Sequence, residues 1–121
     1  MSLWIETTHR SLARAGEEVC GEAVRTFQTE DRFFAVLASS SQGGAEGAAQ
    51  AAVTAECALE MLQAGDAPDR VAEDLIVAPP AGEETTFSIL QVLGGDQAHL
   101  VECETLPLCL IRRGEVEFLP L

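Results

Sequence analysis

The sequence predicts an α+β domain in which α-helices are layered on antiparallel β-sheets. Three features carry this prediction: strand-like segments near the start of the chain, a helical middle rich in alanine, and a second half in which strand-like segments alternate with turns. Strands followed by helices and then by more strands are typical of this fold class, because a sheet must bury a face against another layer. The 121 residues, 47% of them hydrophobic, predict a single domain, residues 1–121, with one core.

The first segments predict a strand and a β-hairpin. Residues 3–8 alternate weakly and predict a first strand. Residues 19–29 and 32–38 contain many β-branched and aromatic residues and predict the two strands of a hairpin. Glu30 and Asp31 fall at its bend. Both are candidate metal ligands, but polar, turn-forming residues at a hairpin tip are the better interpretation.

Two helices are predicted for the middle of the chain. From Ala45 to Gln63, small and aliphatic residues recur at helical spacing, and polar residues occupy the opposite side. The predicted packing face consists of Ala48, Ala52, Ala55, Leu59 and Leu62, and the predicted solvent face consists of Glu46, Gln50, Thr54, Glu56 and Glu60. Gly65 ends this helix, and a second helix begins near Pro68. The residues of the second helix predicted to face inward are Val71, Ala72 and Leu75, and Pro79-Pro80 stops it.

The second half of the chain predicts a meander of strands. Residues 94–96, 105–107 and 113–115 each contain glycine or proline and are predicted to form its turns. Strands that follow one another through such short turns are antiparallel neighbours. The segment therefore completes the predicted arrangement of antiparallel strands covered by helices.

Acidic residues outnumber basic ones by 20 to 7, which gives a formal net charge of -13. The averaged field of such a chain repels nucleic acid and anionic lipid, so neither is predicted as a partner. A basic protein surface or a divalent cation suits the charge better, although acidity that only maintains solubility is the simplest explanation. The sequence shows no signal peptide and no apolar stretch long enough to span a bilayer, so we expect a cytoplasmic protein.

Cysteine and histidine spacing gives no sign of a metal or redox centre. The four cysteines contain no Cys-x-x-Cys pair, so neither zinc nor a disulfide framework is predicted; they are Cys20, Cys57, Cys103 and Cys109. His9 and His99 have no carboxylate or cysteine at a ligand-like spacing. A structural or surface role is therefore predicted for each histidine.

The junction between residues 33–38 and the alanine-rich helix contains no acid. The apolar strand runs into Ser39-Ser40-Ser41-Gln42-Gly43-Gly44, so the turn offers only hydroxyls, an amide and glycines. A strand end followed by a glycine turn and a helix start is a common place for a cation or phosphate site, because free backbone groups converge there. The junction thus looks like a metal site whose ligand has been removed.

Four segments of the chain resemble the metal-dependent protein phosphatases of the protein phosphatase 2C class, specifically the bacterial SpoIIE-like branch. Residues 18–24 resemble an early strand whose Gly-Asp pair supplies a manganese or magnesium ligand, and Glu22 stands at that Asp. Residues 36–44 resemble the branch's Leu-Ala-Asp-Gly turn, and Ser39 and Ser40 occupy the Asp-Gly positions. The other matching segments are the helix at 45–63 and the strand pair at 85–92 and 98–104.

The resemblance implies two stacked antiparallel sheets flanked by helices, with the C-terminal part incomplete because later Asp ligands of the family would lie beyond Leu121. Phosphatases of this class use two divalent ions to generate hydroxide and to neutralise phosphate charge. Hard cations need several oxygen ligands, usually carboxylates. Among the matched positions, Glu22 is the one vestigial metal ligand. Ser39, Ser40, Gly43 and Gly44 form a vestigial turn, and no catalytic residue is assigned.

We therefore predict a degenerate serine/threonine phosphatase-like domain that is inactive, needs no cofactor, and acts as a regulatory or protein-interaction module. The resemblance points to a phosphorylatable regulator as the protein partner, and an uncovered sheet edge also favours a homodimer. The alternative is an active manganese- or magnesium-dependent phosphatase whose site is completed by another chain or a second copy. That alternative requires at least three acids to converge, supplied by a neighbouring subunit or by Glu22, Glu30, Asp31 and Glu46.

Two other functions of this junction, a serine nucleophile and an anion site, are supported to different degrees. A serine nucleophile at Ser39–Ser41 is not supported, because the Gly-x-Ser-x-Gly frame is absent and no histidine has a supporting motif. An anion bound by backbone N–H groups at Gly43-Gly44 and the helix start stays open, since it needs no metal. Glu46 in the first helical turn opposes it.

Overall fold

The structure, a computed structural model, describes residues 5–8, 21–40, 44–82, 85–94, 97–103 and 109–118. Two helices, a four-stranded sheet and a two-stranded sheet are present in these ranges. The helices are α1 (Gly44–Gln63) and α2 (Pro68–Val77), and the strands are β1 (Glu22–Gln28), β2 (Arg32–Ser39), β3 (Thr86–Leu93), β4 (Gln97–Cys103), β5 (Cys109–Arg112) and β6 (Glu115–Phe118). This architecture confirms the α+β prediction.

The larger sheet has the strand order β1-β2-β3-β4, and every neighbouring pair is antiparallel. The predicted hairpin of β1 and β2 is confirmed. Phe27 faces Phe34 across it, with ring centroids 6.2 Å apart in a stacked arrangement. Glu30 and Asp31 lie at the exposed hairpin turn, where the Thr29 hydroxyl donates to Asp31 Oδ1 at 2.9 Å. These acids therefore belong to the turn itself, as expected of polar residues at a hairpin tip.

Both helices pack on one face of the four-stranded sheet. Helix α1 contacts β1 and β2, whereas α2 contacts β3 and β4. The buried core between the layers consists of Ala23, Phe34, Val36, Ala38, Phe87 and Ile89 from the sheet and Ala51, Ala55, Ala58, Leu62, Val71, Ala72 and Leu75 from the helices. Alanine predominates on α1, so the helix backbone can approach the strands closely. The sheet contributes the larger aromatic and branched side chains.

Helix α1 has nearly the predicted extent, but its packing face is rotated from the prediction. Ala55 and Leu62 are buried as predicted, whereas Ala48, Ala52 and Leu59 are only half-buried. Ala51 and Ala58 are fully buried instead. Thr54, predicted to face solvent, is 1% exposed. Its burial is tolerated because Thr54 Oγ1 accepts a hydrogen bond from the Thr85 hydroxyl at 3.0 Å.

Helix α2 confirms the second predicted helix, with Pro68 in its first turn and its predicted apolar residues buried. Proline suits this position because the N–H groups of a first helical turn have no partner within the helix. The helix ends at Val77, just before the two prolines. Within the described ranges, neither helix is long and apolar enough to cross a membrane.

The turns of the second half are confirmed where the structure describes them. Gly94 follows β3 with a φ of 63°. Arg113 and Gly114 join β5 to β6 with φ values of 53° and 80°, the left-handed conformation that two-residue hairpin turns require. The turn predicted at 105–107 lies outside the described residues.

The strand predicted at residues 3–8 is wrong where it can be checked. Residues 5–8 have no regular secondary structure, and residues 3 and 4 lie outside the described ranges. The physical reason is in the composition of this stretch. Ile5 is followed by Glu6, Thr7 and Thr8, so no alternating apolar face exists to hold a strand against a core.

Candidate functional site

Strands β1 and β2 bring together two of the positions singled out in the sequence. Glu22 is the register partner of Ser39 at the end of the β1–β2 ladder. Directly opposed residues of an antiparallel pair have Cβ atoms about 5 Å apart. Glu22 is exposed and Ser39 is half-buried. One carboxylate and one hydroxyl are thus adjacent where the resemblance implies two metal ligands.

Ser40 has a different environment, because successive residues of a strand point to opposite faces. It is 3% exposed, and its backbone N–H donates to the carbonyl of Gly21 at 3.0 Å. Its hydroxyl donates to Oε1 of Gln50 on α1 at 2.6 Å. Gln50 was predicted to face solvent, and this bond explains its partial burial. Ser40 therefore ties the end of β2 to helix α1.

Further hydroxyl groups lie near the Ser40–Gln50 hydrogen bond. Besides the Thr85–Thr54 bond, the Thr86 hydroxyl donates to the carbonyl of Ser39 at 3.4 Å. We call this group the hydroxyl network, and its members are Ser39, Ser40, Gln50, Thr54, Thr85 and Thr86. All of its side chains are neutral, and several are buried or half-buried. The network gives polar groups at the start of β3, the end of β2 and the middle of α1 hydrogen-bond partners from within the chain.

The acids required by the active alternative do not converge in the described part of the chain. Glu30 and Asp31 lie at the far end of β1, about 20 Å from Glu22 for a strand of this length. Glu46 is exposed in the first turn of α1. No group of three or more His, Cys, Asp or Glu side chains suited to a metal occurs among the described residues. The donor set around Glu22 does not fit a pair of hard cations.

The turn predicted to be vestigial is only partly described. Gly43 lies outside the described residues, and Gly44 is the first residue of α1, with a φ of 67°. Glycine is favoured there because a side chain is strained in this conformation. Ser40, for its part, bonds to an amide, which is no general base, so this contact does not make it a nucleophile.

The histidine and cysteine predictions can be checked at three positions. His99 is exposed on β4, with its Nε2 2.9 Å from Oδ1 of Asp69, which agrees with a surface role. Burial, assisted by Glu60, raises the pKa of the Cys57 thiol, so the reactive thiolate is disfavoured. Neither Cys57 nor Cys103 forms a disulfide in the described part of the structure. His9 and Cys20 lie outside the described residues.

Sequence reasoning missed the hydroxyl network. Gln50 and Thr54 were assigned to the solvent side of α1 because they are polar, and polarity alone cannot distinguish a wet residue from a buried one with a partner. The available signal was the polar pair Thr85-Thr86 at the start of a mainly apolar strand. Such a pair needs partners when it lies next to a core.

No known family profile and no curated protein matches the sequence. Solved structures do resemble the fold. One comes from work on the bacterial stressosome, described as a modular system that has been adapted to control secondary messenger signalling; it matches with a TM-score of 0.68 and 16% identity over 93% of this chain and 57% of that chain. RsbX in complex with magnesium matches with a TM-score of 0.57 and 16% identity over 78% of this chain and 49% of that chain.

The third structure contains the PP2C phosphatase domain and a fragment of the regulatory domain of the cell fate determinant SpoIIE from Bacillus subtilis. It matches with a TM-score of 0.59 and 16% identity over 91% of this chain and 40% of that chain. The chain thus spans about half the length of these structures. These structural matches, at 16% identity, show a shared fold, and the shared fold confirms the predicted resemblance: the chain is structurally similar to the PP2C phosphatase domain of SpoIIE and to RsbX.

Proposed function

We propose that this chain is a regulatory module with a PP2C phosphatase fold that has no hydrolytic activity and works by binding a protein partner. The observation that carries the proposal is the Ser40–Gln50 hydrogen bond of 2.6 Å at the end of β2. This end of the strand is where the resemblance implies a metal-binding Asp. In this chain it is occupied by neutral groups that bond to one another.

The chemistry of the donor set supports inactivity. Two adjacent divalent ions need several anionic oxygen ligands, both to bind and to lower the pKa of a bridging water. Glu22 supplies a single carboxylate, and the neighbouring Ser39 supplies a neutral hydroxyl. Glu22 is also one methylene longer than the Asp it replaces, which would displace an ion. The hydroxyl network stabilises the fold at this position instead of binding ions.

The fold neighbours and the charge of the chain support a role in protein binding. One neighbour belongs to the stressosome, a system described as controlling signalling. The formal net charge of -13 favours a protein partner with a basic surface over nucleic acid or anionic lipid. A phosphorylatable regulator is the partner that the resemblance implies, and the proposed module would bind it without removing its phosphate.

Metal binding and hydrolysis test this proposal together. Thermal unfolding is measured with and without millimolar manganese, and hydrolysis of p-nitrophenyl phosphate is measured in the same buffer. A metal that binds the folded state must raise the unfolding midpoint by mass action. Because the proposed module binds no metal, we expect no change in midpoint and no turnover. The double variant Glu22→Asp with Ser39→Asp places two carboxylates opposite each other and should gain a manganese-dependent rise in midpoint.

The matched control pairs Glu22→Asp with Ser39→Asn, which keeps the shape of Asp without its charge and should show no metal effect. Turnover by the wild-type chain that is lost in Glu22→Gln would overturn the proposal. It would instead favour the active alternative, with a site completed by a second copy or another chain. A specific activity that rises with the concentration of the purified chain would show that a second copy supplies the missing ligands.

A further inference from the structure

A cleft opens on the helix side of the sheet at the end opposite Ser40. One part, of about 260 Å³, is bordered by Arg32, Asp66 and the connection between α1 and α2. The second part, of about 460 Å³, is bordered by β3 and β4. Gln91 and Leu93 line both parts, so the two parts adjoin each other along β3. We call it the hairpin-end cleft; its residues used below are Arg32, Phe34, Asp66, Gln91, Leu93, Gln97 and His99.

Arg32 is the distinctive group of this cleft. Its guanidinium carbon lies over the ring of Phe34, 5.6 Å from the centroid, and Phe34 is buried in the core. Stacking on an aromatic ring holds the planar guanidinium in place. Its N–H groups point outward in the plane of the guanidinium, where they can donate to a ligand. An anchored guanidinium loses less conformational freedom on binding than a mobile one.

Arg32 also differs from the other described arginines on the helix side. Arg25 is paired with Glu56 at 3.3 Å, and Arg70 is paired with Asp74 at 3.3 Å. Within the part of the chain that the structure describes, no carboxylate oxygen lies within 4 Å of the Arg32 guanidinium. In a chain of net charge -13, an arginine that lines an opening without a carboxylate partner is available to an anion from outside.

The amides of Gln91 and Gln97 add neutral hydrogen-bonding groups to the same opening. Gln91 is half-buried and Gln97 is exposed. Neither amide has a side-chain hydrogen bond in the described part of the structure. Leu93 follows Gln91 by two residues on β3 and is the register partner of Gln97; it is half-buried and supplies apolar surface. The cleft therefore combines a fixed cation, two amides and an apolar wall.

We infer that the hairpin-end cleft binds an organic carboxylate that carries an apolar group. The carboxylate accepts paired hydrogen bonds from the Arg32 fork and a further one from the Gln91 amide, while the apolar group lies against Leu93. A planar carboxylate matches the fork of a guanidinium. Asp66 lines the cleft, and Asp69 lies at its rim in contact with His99. These negative charges oppose a phosphate dianion more strongly than a carboxylate monoanion.

Two sources supply this ligand chemistry: the carboxylate of an extended protein segment and a free organic acid. The open cleft and the exposed residues 97–99 along its border accommodate either. The site is independent of the proposed loss of hydrolysis, because it lies at the other end of β2 from Ser40. Failure of one proposal therefore leaves the other intact.

The test is an NMR titration of the full chain that follows Arg32 Nε–H and the side-chain amides of Gln91 and Gln97. The probes are hexanoate, the peptide acetyl-Ala-Leu-Ala-Leu with a free C-terminal carboxylate, the same peptide with a C-terminal amide, and inorganic phosphate. We expect saturable shifts with the two carboxylates and none with the amide-capped peptide. Arg32→Gln should weaken binding about tenfold or more, the size of a lost charged hydrogen bond.

Arg25→Gln is the matched control, since it removes the same charge from an arginine on the same face that already has a carboxylate partner; its binding should stay near wild type. Arg32→Lys keeps the charge without the fork and should bind with intermediate affinity. A peptide that binds about tenfold more tightly than hexanoate supports a protein source, whereas equal affinities support a free acid. Absence of saturable shifts, equal weakening in Arg32→Gln and Arg25→Gln, or phosphate binding more tightly than hexanoate would overturn the inference.

Discussion

The two ends of strand β2 differ in whether their polar side chains have partners within the chain. At one end Ser40 is buried and its hydroxyl donates to Gln50 at 2.6 Å. At the other end Arg32 is half-buried, stacks on Phe34 and borders an open cleft. A polar group whose partner lies within the chain contributes to stability, whereas a fixed polar group without such a partner is available to a ligand. Pairing within the chain therefore indicates which end binds.

The difference follows from the chemistry of the two residues. A serine hydroxyl is short and neutral, so a single amide acceptor satisfies it in a buried position. A guanidinium stays charged and is costly to bury without a partner, so it lies where solvent or a ligand can reach it. The comparison implies that the end carrying the resemblance to a metal site is the structural end, and that the end without any motif is the binding end.

The largest effect is expected for Phe34→Ala, which removes the ring beneath Arg32. Phe34 is 1% exposed, and its loss from the core should lower the free energy of unfolding by about 3–5 kcal/mol. The ring also fixes the guanidinium, so the affinity for hexanoate should fall as well. Urea denaturation measures the first effect, and the NMR titration measures the second on the fraction that stays folded.

Phe34→Leu separates the two roles of this residue. Leucine keeps much of the apolar volume, so the stability loss should be smaller than in Phe34→Ala, but it offers no ring to the guanidinium. We expect carboxylate binding to weaken in both variants. If Phe34→Leu binds hexanoate as tightly as wild type, the ring does not organise Arg32, and the contrast between the two ends rests on charge alone.

A smaller effect is expected at the structural end. Ser40→Ala removes the hydrogen bond to Gln50 and should lower the free energy of unfolding by about 1–2 kcal/mol, without changing carboxylate binding. Ser39→Ala is the control, because Ser39 is only half-buried and takes part in the hydroxyl network through its carbonyl. It should lie within about 0.5 kcal/mol of wild type. A loss of carboxylate affinity in Ser40→Ala would contradict the separation of the two ends.

Much of the fold could be predicted from sequence because local signals agreed with it. Proline and glycine residues located α2 and the turns after β3 and β5, and β-branched and aromatic residues located the hairpin. The failures arose where pattern was weak. Residues 5–8 lack an alternating face, and the alanines of α1 are so numerous that hydrophobicity could not fix its rotation. The buried face was determined by which small residues fit against β1 and β2.

The candidate sites were less predictable. The sequence predicts the loss of a metal-binding Asp at Ser39, because a strand, a turn and a helix are contiguous in sequence there. The hairpin-end cleft brings together β2, β3, β4 and the α1–α2 connection, so its residues are distant in sequence. No spacing rule joins Arg32 to Gln91, and only the packing of the sheet and helices makes them neighbours.

The smallest effect is expected for the contact between His99 and Asp69 beside the cleft. Asp69 and His99 are 75% and 46% exposed, so water and salt screen their interaction. His99→Gln should therefore lower the free energy of unfolding by less than about 1 kcal/mol, and the difference should shrink at high salt.

The same variant, His99→Gln, leaves the Asp69 carboxylate without its partner near the cleft, so hexanoate should bind slightly more weakly. Asp69→Asn should have the opposite effect on binding, because it removes a negative charge. If both variants weaken binding equally, the pair acts by holding α2 against β4 and not through its charge. The negative charge of Asp69 would then not control carboxylate binding in the hairpin-end cleft.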